Sequence, residues 1–127
     1  MTQATVVSTS KAPAAIGPYS QAIKLGNLVF TSGQIGLNPA TGELIGASTE
    51  EQARQAFTNL KAVAEEAGGS LANVVKFTLF LTDLSEFAQV NAIMQEYVSA
   101  PFPARSTVGV ASLPKGARFE VEAILAL

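Results

Sequence analysis

Apolar and polar positions alternate with a period of two in some stretches of this chain and with a helical period in others. The switches between the two mark its elements. Residues 4–8 (Ala-Thr-Val-Val-Ser), 21–25 and 28–32 are short β-prone runs, the last two separated by Gly26-Asn27, a two-residue hairpin signal. Between the first two runs, residues 12–19 form a loop punctuated by Pro13, Gly17 and Pro18. Asn38-Pro39-Ala40-Thr41-Gly42 is a further turn, built of turn-forming residues throughout.

A helical period then takes over. Ser48-Thr49-Glu50-Glu51 fits the S/T-x-x-E capping box. Ala53, Ala56, Phe57, Leu60, Val63, Ala64 and Ala67 follow at helical spacing, and Gly68-Gly69 ends the run. The alanines narrow this stripe, so the helix can lie close against a sheet. Val74–Leu81 is a continuous apolar, β-prone run and predicts a central strand covered on both faces. Asp83-Leu84-Ser85-Glu86 starts a second helix with Asp83 as cap, and Phe87, Val90, Asn91, Met94 and Tyr97 share its inner face. Thr107–Ala111 and Arg118–Leu125 complete the set as strands. On the last strand, Arg118, Glu120 and Glu122 alternate with Phe119, Val121 and Ala123. The order β-β-β-α-β-α-β-β predicts one α+β domain over residues 1–127, with two helices packed on one face of a mixed sheet. Its other face, left open and apolar, needs a partner.

Composition sharpens that last point. Charged residues are only 14% of the 127, against about a quarter in typical domains. A domain this small has much surface to cover, and depletion of charge is characteristic of surface buried between subunits. An oligomer is therefore expected. The net charge of -2 leaves no electrostatic footprint for nucleic acid or an anionic membrane. No apolar run reaches the roughly 18–20 residues that span a bilayer. The first residues lack the basic start and apolar stretch of a signal peptide, so a cytoplasmic protein is expected.

The chain contains no histidine and no cysteine, which closes Ser-His, Cys-His and imidazole or thiolate metal chemistry. It also lacks a GxxxxGK[ST] or GxGxxG phosphate loop. The pairs Glu50-Glu51 and Glu65-Glu66 sit at the two ends of the first helix and read as solvated surface, and Lys115-Gly116 as a turn between strands. Attention falls on residues 101–124. Arg105 follows the rigid turn Pro101-Phe102-Pro103, and its planar fork suits a carboxylate; residue type alone leaves an anchor, a structural ion pair and a surface charge as alternatives. Glu120 and Glu122 form either the solvated face of an edge strand or a proton-handling group in a cleft, and a period of two does not separate these. Ser32-Gly33 ends a strand, where glycine permits close backbone approach. Tyr19 walls a pocket or packs in its loop. Asn91 is polar on an apolar helix face and, if buried, needs a partner.

Ala14–Ala22 (Ala-Ala-Ile-Gly-Pro-Tyr-Ser-Gln-Ala), Thr31-Ser32-Gly33-Gln34-Ile35, Asn38–Gly42, Val90-Asn91 and residues 101–124 together resemble the RidA (YjgF) family of reactive-intermediate deaminases, in order and over nearly the whole chain. The resemblance implies a chorismate-mutase-like α+β fold assembled as a homotrimer, with sites in clefts between subunits and open sheet faces toward the centre. It implies hydrolysis of enamine/imine intermediates (2-aminoacrylate and 2-iminopropanoate, and 2-iminobutanoate) to 2-keto acids and ammonia, with no metal and no cofactor. Arg105 matches the family's carboxylate-binding arginine and Glu120 the glutamate that positions the attacking water. Tyr19, Ser32, Gly33 and Asn91 match pocket residues, mostly supplied by the neighbouring subunit. Thr107 stands where the family often has cysteine, at a position whose backbone carbonyl faces the imine nitrogen. Two other activities compete with this one: a non-catalytic module for 2-keto acids or other small carboxylates, and an RNA-cleaving translation inhibitor. The second is poorly served by a chain with no histidine and no basic stripe.

Overall fold

The computed structural model describes residues 3–127. Its strands are β1 (Thr5–Val7), β2 (Ala22–Leu25), β3 (Leu28–Thr31), β4 (Gln34–Ile35), β5 (Val74–Leu81), β6 (Ala104–Gly109) and β7 (Phe119–Ala126), with helices α1 (Thr49–Glu66) and α2 (Phe87–Met94). They form one mixed sheet in the order β1-β2-β3-β7-β5-β6, with β4 pairing β7 beyond the end of β3. Every pairing is antiparallel except β5 with β6. That parallel pair needs a crossover, which residues 82–103 supply, and it carries α2 over the sheet beside β6. Among the described residues no helix is long and apolar enough to cross a membrane.

The helix ends follow local chemistry. The Ser48 hydroxyl accepts the Glu51 backbone N–H at 3.1 Å and donates to Glu51 Oε1 at 2.9 Å. At the other end, Gly68 adopts φ +99; its N–H bonds the Glu65 carbonyl and that of Gly69 the Ala64 carbonyl, a Schellman motif. The predicted stripe of α1 is buried throughout. Phe57 is its centre, 6.2 Å from the Phe77 ring, 5.5 Å from Phe119 and stacked at 5.3 Å on Tyr97. Tyr97 lies past the end of α2, which stops at Met94, yet reaches the same cluster. Asp83 caps a 3-10 turn, accepting the Ser85 N–H at 3.0 Å, and α2 continues from it.

Several expectations are corrected. β5 is not covered on both faces: Phe77, Leu79 and Leu81 are fully buried under the helices, whereas Lys76, Thr78 and Phe80 face outward and are only partly covered. β7 is not an edge strand but lies mid-sheet, between β3 and β4 on one side and β5 on the other. Arg118 precedes β7 and does not share the outward face of Glu120; its guanidinium turns to Thr49 Oγ1 (2.8 Å) and Glu86 (2.7 Å). β6 begins at Ala104, so Arg105 lies within the strand rather than before it. β4 and the 3-10 turns at Leu71–Asn73, Leu84–Glu86 and Pro114–Gly116 have no counterpart in the periodicity.

The outward face is apolar over β1, β2 and β3 and mixed at its centre, where Lys76, Thr78, Ser106, Glu120 and Glu122 lie on the same side. Register places Val6, Ile23, Phe30 and Ile124 in one row, with Leu25, Leu28, Phe80 and Val108 on the same side. Val6 is 62% exposed and Phe30 42%, the open face that the sequence predicts.

Candidate active site

Register decides which side of the sheet each candidate serves. Arg105 opposes Phe77, which opposes Ala123, so Arg105 points toward the helices. Glu120 opposes Phe80, which opposes Val108, so Glu120 points to the outward face. The two residues implied as catalytic therefore occupy different clefts of one chain.

The crossover sets the first cleft, because it lays α2 beside β6. Arg105 Nη1 donates to Asn91 Oδ1 at 2.6 Å and lies 3.8 Å from Met94 Sδ, while its Cζ sits 5.0 Å from the centre of the Phe87 ring. These contacts hold the guanidinium by one nitrogen and one face, leaving the Nε–Nη2 edge for a bidentate anion. Arg105 has no carboxylate partner among the described residues. Around it, Asn91, Met94, Gln95, Val98, Phe102 and Pro103 enclose about 410 Å³.

A break in the β3–β7 ladder sets the second cleft. Phe30 opposes Ile124 and Gln34 opposes Val121, so residues 31–33 face only residues 122–123, a bulge. Thr31 Oγ1 accepts the Ala123 N–H at 2.9 Å and fills the missing rung. The Ser32 N–H bonds the Gln21 carbonyl at 2.9 Å and its hydroxyl the Ser20 carbonyl at 2.5 Å. Gly33 is thereby pressed onto Glu120: a Cβ there would stand 2.7 Å from the Glu120 carboxyl carbon. Burial first, and the Glu122 charge second, hold the Glu120 carboxyl above the ordinary glutamate range. The cleft measures about 690 Å³, and Tyr19, Ser32, Gly33 and Glu120 all line it.

The sequence-derived set thus divides. Tyr19, Ser32 and Gly33 gather with Glu120, and Asn91 gathers with Arg105. Thr107 lines neither cleft; it opposes Leu79 on the helix side, and its hydroxyl is buried with no hydrogen-bond partner among the described residues. A buried unpaired hydroxyl is destabilising. Thr107→Val is therefore expected to raise stability by about 1 kcal/mol in a denaturant titration and, since the backbone is unchanged, to leave activity within about twofold.

Some lining residues escaped the sequence reading. Gln21 is 4% exposed; it accepts the Thr9 N–H at 2.7 Å and donates to the Thr9 and Pro13 carbonyls at 3.0 and 2.8 Å, tying the Pro13–Tyr19 loop over the Glu120 cleft. Nothing in its β-prone context marks such a role. Lys115, read as a mere turn residue, also lines that cleft, with φ 57 and its ammonium donating to the Gly42 carbonyl at 3.1 Å. The available signal was a lysine, not a glycine, between Pro114 and Gly116. In the sequence Phe102 belongs to a proline turn and Met94 to the apolar face of the second helix.

Comparison with known proteins supplies the context. The family described as Endoribonuclease L-PSP matches residues 9–127. A 2-iminobutanoate/2-iminopropanoate deaminase of Dermatophagoides farinae is 49% identical over 122 residues, covering 96% of this chain and 95% of that protein. The crystal structure of RidA from an Antarctic Psychrobacter superposes with a TM-score of 0.94 at 52% identity, covering 97% of this chain and 99% of that one. E. coli TdcF, solved with bound serine, superposes with a TM-score of 0.91 at 43% identity over 97% and 98% of the two chains.

Proposed function

The chain belongs to the Endoribonuclease L-PSP family, RidA among its members, and on that premise we propose that it is a hydrolytic deaminase of small 2-imino acids. Its substrates in this reading are 2-aminoacrylate with its tautomer 2-iminopropanoate, and 2-iminobutanoate; its products are 2-keto acids and ammonia. The observation that carries the proposal is a pair of half-sites. One is an arginine held with its bidentate edge free, the other a carboxylate of raised proton affinity under a glycine.

The chemistry asks for little more. An imine carbon is already electrophilic, so anchoring and water placement are the work to be done. The substrate carboxylate docks on the free edge of Arg105. Glu120 orients a water and takes its proton as the oxygen bonds to the imine carbon; the C=N π pair moves to nitrogen, which is protonated. The resulting carbinolamine loses ammonia as its C–N bond breaks and its hydroxyl proton departs, leaving the keto group. Oxidation states do not change, and no step needs a metal or cofactor.

Because Arg105 and Glu120 face opposite sides of one sheet, the proposed site joins the Arg105 cleft of one subunit to the Glu120 cleft of the next. A chorismate-mutase-like homotrimer fits this arrangement, with the apolar outward faces packed together. The low charge content supports the same assembly.

The test is direct. 2-Aminoacrylate is generated in situ by a pyridoxal-phosphate dehydratase and the imine is trapped with semicarbazide. The protein is expected to suppress the adduct catalytically, at substoichiometric amounts. Suppression only at stoichiometric protein would leave a carboxylate-binding module, and no suppression would remove the deaminase reading. Light scattering is expected to give the mass of three chains; a monomer would separate Arg105 from Glu120 for good.

A further inference from the structure

Two amide side chains sit in the buried face of α1: Gln52 is 1% exposed and Asn59 0%. Seven residues separate them, so they lie about two turns apart on one side of the helix. Buried amides need partners, and both take theirs from backbone that flanks Glu120. Gln52 Oε1 accepts the Arg118 N–H at 2.7 Å, two residues before Glu120, while its Nε2 donates to the Gly46 carbonyl at 2.9 Å. Asn59 Nδ2 donates to the Ile35 and Leu37 carbonyls at 3.3 and 2.9 Å, and Ile35 is the residue of β4 directly opposite Glu120. Gln55 Nε2 donates to Asn59 Oδ1 at 2.8 Å and so fixes which end of that amide faces β4. Gly36, between the two held carbonyls, lets α1 come this close: a Cβ there would stand 2.6 Å from Gln52 Cα.

Neither amide lines the Glu120 cleft, yet between them they tie both strands at its floor to α1. We propose that Gln52 and Asn59 are positioning residues of the reaction, two buried amides that clamp the backbone on either side of Glu120 and so fix where its carboxylate stands. The inference rests on the deaminase reading above and extends it to residues outside the cleft. Arg105 and the residues around it take no part in the clamp, so carboxylate anchoring is left alone. Misplacing a reacting group by about 1 Å can cost about 10²-fold in rate, which is why the strands around Glu120 need holding.

Asn59→Leu and Gln52→Met remove the amides while keeping most of their volume. Each is expected to lower kcat for 2-iminopropanoate by about 10- to 100-fold, with KM and 2-oxobutyrate binding within about twofold of wild type. Gln55→Leu, at a half-buried site, frees the Asn59 amide without opening the core and should act in the same direction by a smaller factor. Should the two buried changes fail to fold, it carries the test by itself. The Glu120 carboxyl, followed by carbon NMR of labelled glutamate and assigned by its loss in Glu120→Gln, gives a readout independent of activity. It is expected to titrate closer to the ordinary glutamate range in the variants, because a loosened strand admits water to it. The ionisable groups around it are the same in every variant: Glu122 and Lys76 on the outward face, Tyr19 and Lys115 on the cleft walls. Leu71→Ala is the control. Leu71 is buried near the far end of β7, where Asn73 holds the Ala126 carbonyl at 3.1 Å, and its truncation should lower the melting temperature without moving either readout. A Glu120 titration unmoved in the variants, or moved equally by Leu71→Ala, overturns the clamp, and so does a shifted titration with unchanged kcat. A wild type that hydrolyses no imine overturns the deaminase reading alone, since the titration still reports the clamp.

Discussion

Replacing Glu120 by glutamine is expected to lower kcat for imine hydrolysis by about 10²–10⁴, the usual worth of a positioned general base. Binding of 2-oxobutyrate, which needs no base, should change little when followed by calorimetry. Glutamine keeps the volume under Gly33 and removes only the proton acceptor. Glu120 takes up its proton more readily than an ordinary glutamate, chiefly because it is buried and secondarily because Glu122 is near. If its ionised form activates water, wild-type activity rises with pH through a midpoint above the ordinary glutamate range. The sign for stability is opposite. A carboxyl whose folded-state pKa is raised contributes most stability below its unfolded pKa, and loses that contribution as pH rises through the folded value. Glu120→Gln should therefore be no less stable than the wild type at neutral pH, so its lost activity is not lost fold. A variant that retains full kcat would show that Glu120 lies outside the chemistry.

Replacing Arg105 by alanine is expected to cut kcat/KM by about 10- to 150-fold, the loss of a charge-assisted hydrogen-bond pair. The effect should appear mainly as a higher KM and as lost binding of 2-oxobutyrate. Arg105→Lys should recover only part of it, because an ammonium supplies charge without the planar fork. Arg105 is exposed on the edge strand β6 and pairs with no carboxylate among the described residues, so its removal orphans no buried charge. Unchanged kcat/KM for Arg105→Ala would return this arginine to the status of a surface charge.

How much of this was written in the sequence differs element by element. α1 was legible from Ser48 to Gly68 because its cap, stripe and terminator are local signals that agree with one another. The hairpin at Gly26-Asn27 and the turn ending at Gly42 were legible for the same reason. Strand coverage was not. Val74–Leu81 is dense in β-prone residues, and Lys76 and Thr78 alone do not tell which side of it stays only partly covered. β4 escaped because two residues carry no period, and β7 was ambiguous because centrality depends on which strands come to flank it. Arg118 followed the alternation on paper, yet Thr49 and Glu86, distant in sequence, pull it to the other side.

By itself the sequence determined the parts list: one arginine behind a proline turn, a glutamate on an apolar strand, a Ser-Gly pair ending another, and no histidine or cysteine to compete with them. It also determined the family, through motifs spread along the chain. Tertiary structure alone decided that these parts fall into two clefts. Strand periodicity says that Arg105 and Glu120 each have a face, but only pairing through β5 fixes the two faces relative to one another. The bulge at Thr31–Gly33, which aims Glu120 against Gly33, exists only because β3 and β4 both pair with β7 across a gap of unequal length. Such relations are long-range, set by register and packing rather than by neighbours in the chain.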